Sequence, residues 1–178
     1  MVSPTQLSVL RMIPVAHRIA RTGAGRLAVF RLLNSYRGWD ASHTPLDDVA
    51  WALGQVRDRF GSLPACLVGH SLGGRAALLA GGAEEVRSVV ALNPWVYPTD
   101  APDLSGRRVL VVHGTEDRIA DPARAAAVAR RIGRTADVQY VEVPEARHAM
   151  LRHGAVFERA AADFAAETLL REPRMDDV

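Results

Sequence analysis

The feature that most restricts the fold of this chain is a regular alternation of short apolar runs with longer helical patterns. The apolar runs are rich in Val or Leu, and each is followed by a turn signal. Continuous runs of this kind predict strands that are buried on both faces. The five predicted strands are Leu27 to Leu33, Ala65 to Gly69, Val86 to Leu92, Val109 to His113 and Val138 to Val143. Because these strands alternate with helices, we predict an α/β fold of three layers, a mainly parallel sheet of about five strands with helices on both faces.

Two helices are predicted from their capping residues. Thr44 as the cap, Pro45 at the first helical position and the acidic pair Asp47-Asp48 indicate where one helix begins. Its apolar stripe consists of Val49, Ala52, Leu53, Val56 and Phe60. Asp121-Pro122 begins another helix by the same logic, and this helix is predicted to end near Ile132.

Both ends of the chain also carry helical patterns. Four residues near the start share one helix face, namely Leu10, Ile13, His17 and Ala20. Since Pro14 lacks a backbone N–H and collides with the preceding turn, we expect a kink or a late start near it. The last helix is predicted from Phe157, Ala160, Ala161 and Phe164.

Length and composition limit the classes of protein to which the chain can belong. A chain of 178 residues can fill one core and is too short for two ordinary domains, so we predict a single domain over residues 1–178. The net charge is only +2, which argues against a nucleic-acid partner. No stretch approaches the roughly 18 apolar residues of a membrane span. The single cysteine, Cys66, has no disulfide partner, so we expect a cytoplasmic protein.

The pentapeptide Gly69-His70-Ser71-Leu72-Gly73 lies between a predicted strand and a small-residue helix. A serine on such a turn is typical of a nucleophile, because the turn holds its hydroxyl out of the sheet. The flanking glycines are expected to let the two arms of the turn approach, since glycine has no Cβ. Pentapeptides of this kind also occur by chance, so the interpretation depends on the partners of Ser71.

A serine hydroxyl needs a base, and the base needs an acid that holds it in one tautomer. Asp117 follows the fourth predicted strand and His148 follows the fifth, so both are expected at the sheet edge where ligands bind. Glu116 and Asp121 are rival acids, although a helix cap explains Asp121 better, and His153 is a rival base. The other histidines are interpreted as two strand-end residues that pack near the site and two surface or satisfied polar residues, namely His70, His113, His17 and His43.

The chain order Ser71, Asp117, His148, with each residue after a predicted strand, resembles the α/β-hydrolase fold superfamily. The resemblance covers nearly the whole chain. It implies that Ser71 attacks an acyl carbon, that His148 accepts and returns the proton, and that Asp117 orients His148. It also implies that the N–H of Leu72 stabilises the oxyanion. The absence of a long insertion between Ser71 and Asp117 resembles small members without a lid, such as the dienelactone-hydrolase-like group, although that group typically carries a cysteine nucleophile.

One part of the family pattern is missing from the sequence. Relatives place a strand and a loop before the first helix, and that loop supplies a second oxyanion N–H. Here Met1 to Gln6 lead almost directly into the first helical pattern. We therefore expect a fold that is N-terminally incomplete, in which the first two predicted strands pair directly or the sheet is defective. We also expect residue 1 to lie inside a longer natural reading frame, or the chain to be a remnant.

The resemblance implies a serine hydrolase that cleaves a carboxylic ester or a thioester of a small molecule. The alternatives are a non-catalytic α/β-hydrolase-like module and an acyltransferase that uses the same three residues. Without a lid the pocket should be shallow, and the expected substrate contacts are Tyr36, Trp39, Trp95, Tyr97 and Met150. No metal or nucleotide cofactor is expected, because the histidines lack ligand spacing and no glycine-rich stretch suits a nucleotide. The sequence leaves the oligomeric state open.

Overall fold

The residues that the structure describes form a sheet of four parallel strands. The computed structural model describes residues 6–36, 38–39 and 43–170. Within these ranges the strands are β1 (Ala65–His70), β2 (Val86–Leu92), β3 (Arg108–Gly114) and β4 (Asp137–Val143), in the spatial order β1-β2-β3-β4. All three neighbouring pairs are parallel, so the carboxyl ends of the four strands meet at one edge. The register places His70, the last residue of β1, beside Leu92, the last residue of β2.

Helices cover both faces of the sheet. They are α1 (Leu7–Leu10), α2 (Met12–Gly23), α3 (Pro45–Phe60), α4 (Leu72–Leu79), α5 (Pro122–Ile132) and α6 (Gly154–Leu170). The first core includes Val15 of α2 and Phe157 of α6, whereas the second includes Leu78 of α4 and Ile132 of α5. The prediction of a three-layer α/β fold is therefore confirmed. None of the helices in the described ranges is long and apolar enough to cross a bilayer.

The predicted helix starts are confirmed by hydrogen bonds at their caps. Thr44 Oγ1 accepts from the N–H of Leu46 at 3.2 Å, and the Asp47 carboxylate accepts from the N–H of Thr44 at 2.7 Å. This capping box satisfies donors that the first turn of α3 would otherwise leave unpaired. At α5, Asp121 accepts from the N–H groups of Ala123 and Arg124. The N-terminal helix is interrupted at Arg11, and Pro14 lies in the first turn of α2, where its missing N–H costs little.

The first predicted strand is wrong. Residues 27–33 belong to no helix or strand, so the sheet formed by the described residues has four strands where about five were predicted. Leu27 and Val29 pack against the first core, whereas Phe30 is 58% exposed. An extended segment becomes a strand only when a neighbour accepts its backbone hydrogen bonds, and among the described residues β1 pairs with β2 alone. Of the two expected alternatives, direct pairing of the first two predicted strands is therefore wrong, and the described residues show instead a sheet with no strand on the outer side of β1.

The absence of that pairing changes the burial around β1. Cys66, Leu67 and Val68 are only half-buried, and the outermost strand on the other side, β4, is also mostly exposed, so the prediction of full burial fails for both outer strands. The apolar stripe of α3 is affected too. Phe60, which belongs to that stripe, is 50% exposed, and its ring contacts that of Phe30 with centroids 5.8 Å apart.

Candidate active site

Ser71 occupies the tight turn between β1 and α4. Its backbone has φ 56° and ψ −121°, a conformation that L residues rarely adopt and that stores strain. The turn is fixed by hydrogen bonds from its own main chain. The N–H of Ser71 donates to Leu92 O at 3.0 Å, and its carbonyl accepts from the N–H groups of Arg75 and Trp95, both at 3.1 Å. Neighbouring elements therefore hold the serine in a conformation that it would not adopt alone.

The glycines around Ser71 are needed to different degrees. A Cβ on Gly69 would lie 2.1 Å from the carbonyl oxygen of Gly73, which no backbone could tolerate. A Cβ on Gly73 would meet nothing within 4 Å, so the expectation that both flanking glycines permit the close approach is wrong for Gly73. The second constrained position is Gly74, where a Cβ would lie 3.1 Å from both Gly69 O and Pro94 Cβ. The approach of strand to helix therefore depends on Gly69 and Gly74.

Asp117, His148 and Ser71 form a continuous line of hydrogen bonds. His148 Nδ1 lies 2.8 Å from Asp117 Oδ2, and His148 Nε2 lies 2.9 Å from Ser71 Oγ. An ionised carboxylate only accepts, so the ring proton of neutral His148 is on Nδ1. Nε2 is then free to accept the proton of the serine hydroxyl. Of the rival bases and acids, His153, Glu116 and Asp121 have no place in this line within the described residues.

The Asp117 carboxylate is buried and fully hydrogen-bonded. Oδ1 accepts from the N–H groups of Ile119 and Ala120 at 2.8 and 2.9 Å, and Oδ2 lies 3.4 Å from His113 Nε2. Burial raises the pKa of Asp117, but the hydrogen bonds from His113, from His148 and from the two backbone N–H groups outweigh it and hold the pKa well below its usual range. The acid is therefore a carboxylate throughout the physiological range.

His70 and His113, predicted as strand-end residues near the site, are both buried there. His113 Nε2 lies 3.1 Å from Ala120 O and next to Asp117, so His113 supports the turn that carries the acid. His70 Nε2 lies 2.8 Å from the carbonyl oxygen of His148. Burial lowers the pKa of His70 to about 4, so its ring is neutral near pH 7 and donates from Nε2.

A group of aromatic side chains surrounds Arg75 beside the serine turn. The Arg75 guanidinium lies 3.9 Å from the ring centroid of Trp39 and 4.7 Å from that of Tyr97. Tyr97 in turn contacts Trp95 edge to face, with centroids 4.8 Å apart. Trp39, Trp95 and Tyr97, three of the five residues expected to contact substrate, are thus brought together. The other two are not part of this group: Tyr36 contacts His43, and Met150 is buried in the first core.

The residue that organises this aromatic group, Arg75, was missed by sequence reasoning, as was its partner Asp100. Asp100 Oδ2 accepts from Arg75 Nε at 2.6 Å and from the N–H of Tyr97 at 2.7 Å, and Oδ1 accepts from Arg75 Nη2 at 3.1 Å. Both side chains are mostly buried. No local pattern in the sequence could indicate this pair, because its members lie 25 residues apart and the second lies in an irregular loop.

Asp48 anchors the loop that carries Tyr36 and Trp39. Its carboxylate accepts from the N–H of Ser35 at 2.9 Å and from the Ser35 hydroxyl at 2.7 Å, and it lies 2.9 Å from His43 Nε2. Burial raises the pKa of Asp48, but the hydrogen bonds from Ser35 and His43 lower it further than burial raises it. Sequence reasoning assigned Asp48 only to the acidic first turn of α3, whereas the structure shows that it also fixes the loop.

The N–H of Leu72 is the expected oxyanion donor. Leu72 is the first residue of α4, so its N–H has no acceptor within the helix. The preceding segment, Met1 to Gln6, on which the expected loss of the second donor depends, lies outside the described residues except for Gln6. No group of three His, Cys, Asp or Glu residues within the described ranges could hold a metal ion.

The fold of this chain is similar to that of several solved hydrolases. No family model and no curated protein matches its sequence. Est1E from Butyrivibrio proteoclasticus superposes with a TM-score of 0.71 at 13% identity, covering 96% of this chain and 85% of that chain. The esterase domain of a Rhodothermus marinus protein superposes with a TM-score of 0.69 at 18% identity, covering 91% of this chain and 80% of that chain. A serine hydrolase without a lid from Xanthomonas campestris superposes with a TM-score of 0.62 at 22% identity, covering 91% of this chain and 77% of that chain. The chain therefore has an α/β-hydrolase-like fold, as its sequence predicts.

Proposed function

We propose that this protein is a serine hydrolase that cleaves a carboxylic ester or thioester through an acyl-enzyme on Ser71. The observation that carries the proposal is the line of hydrogen bonds from Asp117 through His148 to Ser71, with distances of 2.8 and 2.9 Å. This line places a base within proton-transfer distance of a strained serine. A purely structural role would not require that arrangement. The similarity to solved esterases supports the proposal.

The reaction follows from the proton positions. Ser71 Oγ attacks the acyl carbon while its proton passes to His148 Nε2, and the Asp117 carboxylate stabilises the imidazolium that forms. His148 then returns the proton to the departing alkoxide or thiolate, leaving the acyl group on Ser71. In the second half a water molecule attacks the acyl carbon, giving its proton to His148, and His148 protonates Ser71 Oγ as the acid leaves. Asp117 keeps its negative charge throughout.

We assign the N–H of Leu72 as one oxyanion donor. It belongs to the residue after the nucleophile and is left free by its position at the start of α4. Losing one donor of an oxyanion hole costs roughly 10²–10³-fold in turnover. The turnover number of the protein will therefore report whether a second donor contributes.

We propose a small-molecule acyl substrate that lies against the aromatic group of Trp39, Trp95 and Tyr97. The link between β2 and β3 contains no helix, so no lid domain covers the site from that side. The main chain of Trp95 is hydrogen-bonded to that of Ser71, and its ring packs on Tyr97. Aromatic rings offer apolar area with little loss of side-chain freedom. Est1E has been solved with bound ferulic acid, an aromatic ligand, so aryl esters are a reasonable first series to assay.

The decisive experiment is covalent labelling with a fluorophosphonate. We expect the folded protein to label and Ser71→Ala to remain unlabelled. Ser62→Ala is the matched control, because Ser62 is an exposed serine just before the opposite end of β1. Labelling that persists in Ser71→Ala would contradict the assignment of the nucleophile. A folded protein that neither labels nor hydrolyses p-nitrophenyl acetate would favour the non-catalytic alternative, and acyl transfer to an added alcohol in preference to water would favour the acyltransferase.

A second measurement tests the substrate contacts. Trp95→Leu should raise KM for phenyl acetate more than for methyl acetate, because only the aryl ester can stack on the indole ring. The matched control is Trp51→Leu, at a tryptophan of α3 that is 63% exposed. An equal change of KM for both esters would argue against an aryl site at Trp95.

We also propose that the enzyme works in the cytoplasm. Its single cysteine, Cys66, has no disulfide partner, and burial raises the pKa of that thiol to about 11, which keeps it unreactive. Cell fractionation that recovers the native protein from another compartment would contradict this proposal.

A further inference from the structure

The main-chain carbonyl of His148 accepts hydrogen bonds from two side chains at the carboxyl ends of neighbouring strands. His70 Nε2 lies 2.8 Å from this oxygen, and Asn93 Nδ2 lies 3.2 Å from it. His70 is the last residue of β1, and Asn93 directly follows β2. The proposed base is therefore held through its own backbone, independently of the contacts that its ring makes with Asp117 and Ser71.

His70 is a well-fixed donor. It is only 7% exposed, and a carbonyl oxygen can only accept, so the proton between the two atoms belongs to His70 Nε2. The ring of His70 also packs on the ring of His148, with centroids 4.8 Å apart and planes tilted by 44°. One side chain thus contacts both the backbone and the imidazole of the base.

Asn93 connects the base to the acid. Its Nδ2 group lies 3.2 Å from His148 O and 3.3 Å from Arg147 O, while its Oδ1 accepts from the N–H of Gly114 at 2.8 Å. Gly114 is the last residue of β3, three positions before Asp117. Asn93 is fully buried and has φ 42°, a left-handed conformation that asparagine tolerates better than most residues. A single amide therefore joins the end of β3 to the loop that carries the base.

The loop that carries His148 is also tied to the segment that carries Asp117, since the N–H of Glu116 donates to Ala146 O at 3.0 Å and the N–H of Glu145 donates to Thr115 Oγ1 at 2.9 Å, but neither bond reaches His148 itself. The loop contains two residues with positive φ, Glu145 at 58° and Met150 at 60°. The ion pair between Arg147 and Glu116 is exposed and is worth little in water. A displacement of about 1 Å at a catalytic group can cost roughly 10²-fold in rate. Two buried donors on one carbonyl are well suited to prevent such a displacement.

We propose that His70 and Asn93 are positioning residues that hold His148 in line with Ser71 through its carbonyl oxygen. This inference deepens the proposed function and rests on it. Neither side chain contacts substrate in the proposed reaction. Their effect is to keep the distance between His148 Nε2 and Ser71 Oγ short without any change in the residues that react.

The test uses two pairs of variants in the full chain. His70→Phe keeps a flat ring but removes the donor, whereas His70→Gln replaces the ring by an amide that can donate from a similar position. Asn93→Gly removes the amide without penalising the positive φ. Asn93→Asp keeps an acceptor for Gly114 N–H but cannot donate to His148. Each variant is first checked by circular dichroism and thermal melting.

The expected result is a kinetic defect without a binding defect. With p-nitrophenyl acetate, His70→Phe, Asn93→Gly and Asn93→Asp should lower kcat by about 10- to 100-fold with little change in KM. His70→Gln should recover most of the lost kcat, which a role in packing alone would not explain. The rate of fluorophosphonate labelling at Ser71 should follow kcat. Folded His70→Phe and Asn93→Gly proteins that label at the wild-type rate would overturn the proposal, and if Asn93→Gly does not fold, the His70 pair decides.

An independent readout separates this proposal from the proposed function. The proton on His148 Nδ1, between that atom and Asp117, should give a low-field resonance in the proton NMR spectrum of the wild-type protein. We expect His70→Gln to keep the resonance and His70→Phe to weaken or broaden it. If the wild-type protein shows no activity, the proposed function fails, and the resonance still decides: loss in His70→Phe supports the positioning role, and an unchanged resonance overturns it.

Discussion

The carboxyl edge of the sheet at Ser71 and the open side of β1 are built in opposite ways. At the carboxyl edge, the buried polar side chains of Asn93, Asp117 and His148 form hydrogen bonds with one another or with the backbone. On the open side of β1, apolar residues are left half-exposed, and residues 27–33 form no strand. The first region is fixed by directed bonds, whereas Val29, Phe30 and Phe60 in the second make apolar contacts.

Exposed apolar side chains also occur on and beside α3. Phe30 and Phe60 are both at least half exposed and contact each other. A groove of about 270 Å³ lies between α3 and α4, with a mainly apolar lining of Leu46, Val49, Ala50, Leu53, Leu79, Ala80, Gly82 and Ala83. Contacts that remain accessible to water contribute less to stability than buried ones, because stabilisation scales with the apolar area removed from water.

The comparison indicates that the arrangement of the side chains around Ser71 does not depend on how deeply the residues of β1 are buried. Asp117, His148 and Ser71 depend on the ends of β1, β3 and β4, which are held by parallel pairing with their neighbours. Changes at the carboxyl edge should therefore alter reactivity, and changes beside β1 should alter only stability. The predictions below test that separation.

The largest effect is expected at the acid. Asp117→Asn should lower kcat/KM for p-nitrophenyl acetate by roughly 10³–10⁴-fold, because an amide that donates to His148 Nδ1 would impose the wrong tautomer on the base. Asp121→Asn is the matched control, since Asp121 caps α5, makes only a long, exposed ion pair with Arg124, and asparagine also caps well. Similar losses in the two variants would show that the effect does not come from the line of three residues.

The second largest effect concerns stability at acid pH. The pKa of His70 is lowered by burial from 6.5 to about 4, so the unfolded chain binds a proton in this interval that the folded chain does not. The folded state is therefore most stable above pH 6.5. The free energy of unfolding falls by about 3 kcal/mol as the pH is lowered towards 4. Below 3.8, protonation of Asp117, whose pKa is also lowered, should remove further stability.

Urea unfolding at several pH values would measure this dependence. His70→Gln has no titrating ring at this position and should show a flatter dependence between pH 6.5 and 4. His17→Gln is the control for loss of one imidazole, because His17 lies exposed on α2. If His70→Gln and the wild type lose stability in parallel, buried His70 is not the source.

The third prediction compares two glycines of the same turn. Gly69→Ala should destabilise the protein by about 1–3 kcal/mol or more, because its Cβ would collide with Gly73 O at 2.1 Å. Gly73→Ala should be neutral or stabilising by up to about 1 kcal/mol, since it lies in α4 with open space around it. Thermal melting measures both. Equal destabilisation would contradict the assignment of the close approach to Gly69.

The catalytic candidates could be predicted from sequence because each follows its strand within a few residues. Ser71, Asp117 and His148 come after β1, β3 and β4, and the carboxyl ends of parallel strands meet at one edge whatever the details of packing. The starts of α3 and α5 could also be predicted from sequence, because Thr44 and Asp121 accept hydrogen bonds from backbone N–H groups only two or three residues away. Local chemistry was sufficient in both cases.

The remaining features depend on contacts that no local pattern contains. Residues 27–33 have the composition of a strand, but their state is decided by whether a neighbour is present. Arg75 and Asp100 form their ion pair across 25 residues, and Asn93 reaches His148 across 55. Likewise, only the path of the backbone shows that Gly74 rather than Gly73 is crowded.

The smallest effect is expected beside β1. Phe30→Ser removes a ring that is 58% exposed and contacts Phe60, so the free energy of unfolding should fall by less than about 1 kcal/mol. The rate of fluorophosphonate labelling at Ser71 should not change, because no residue of the proposed catalytic line touches Phe30 within the described contacts. Val29→Ser is the companion variant: Val29 packs against the first core, so it should cost more stability and still leave labelling intact. A labelling rate that falls in a folded Phe30→Ser protein would show that the two regions are coupled, and the separation between site geometry and burial at β1 would then be wrong.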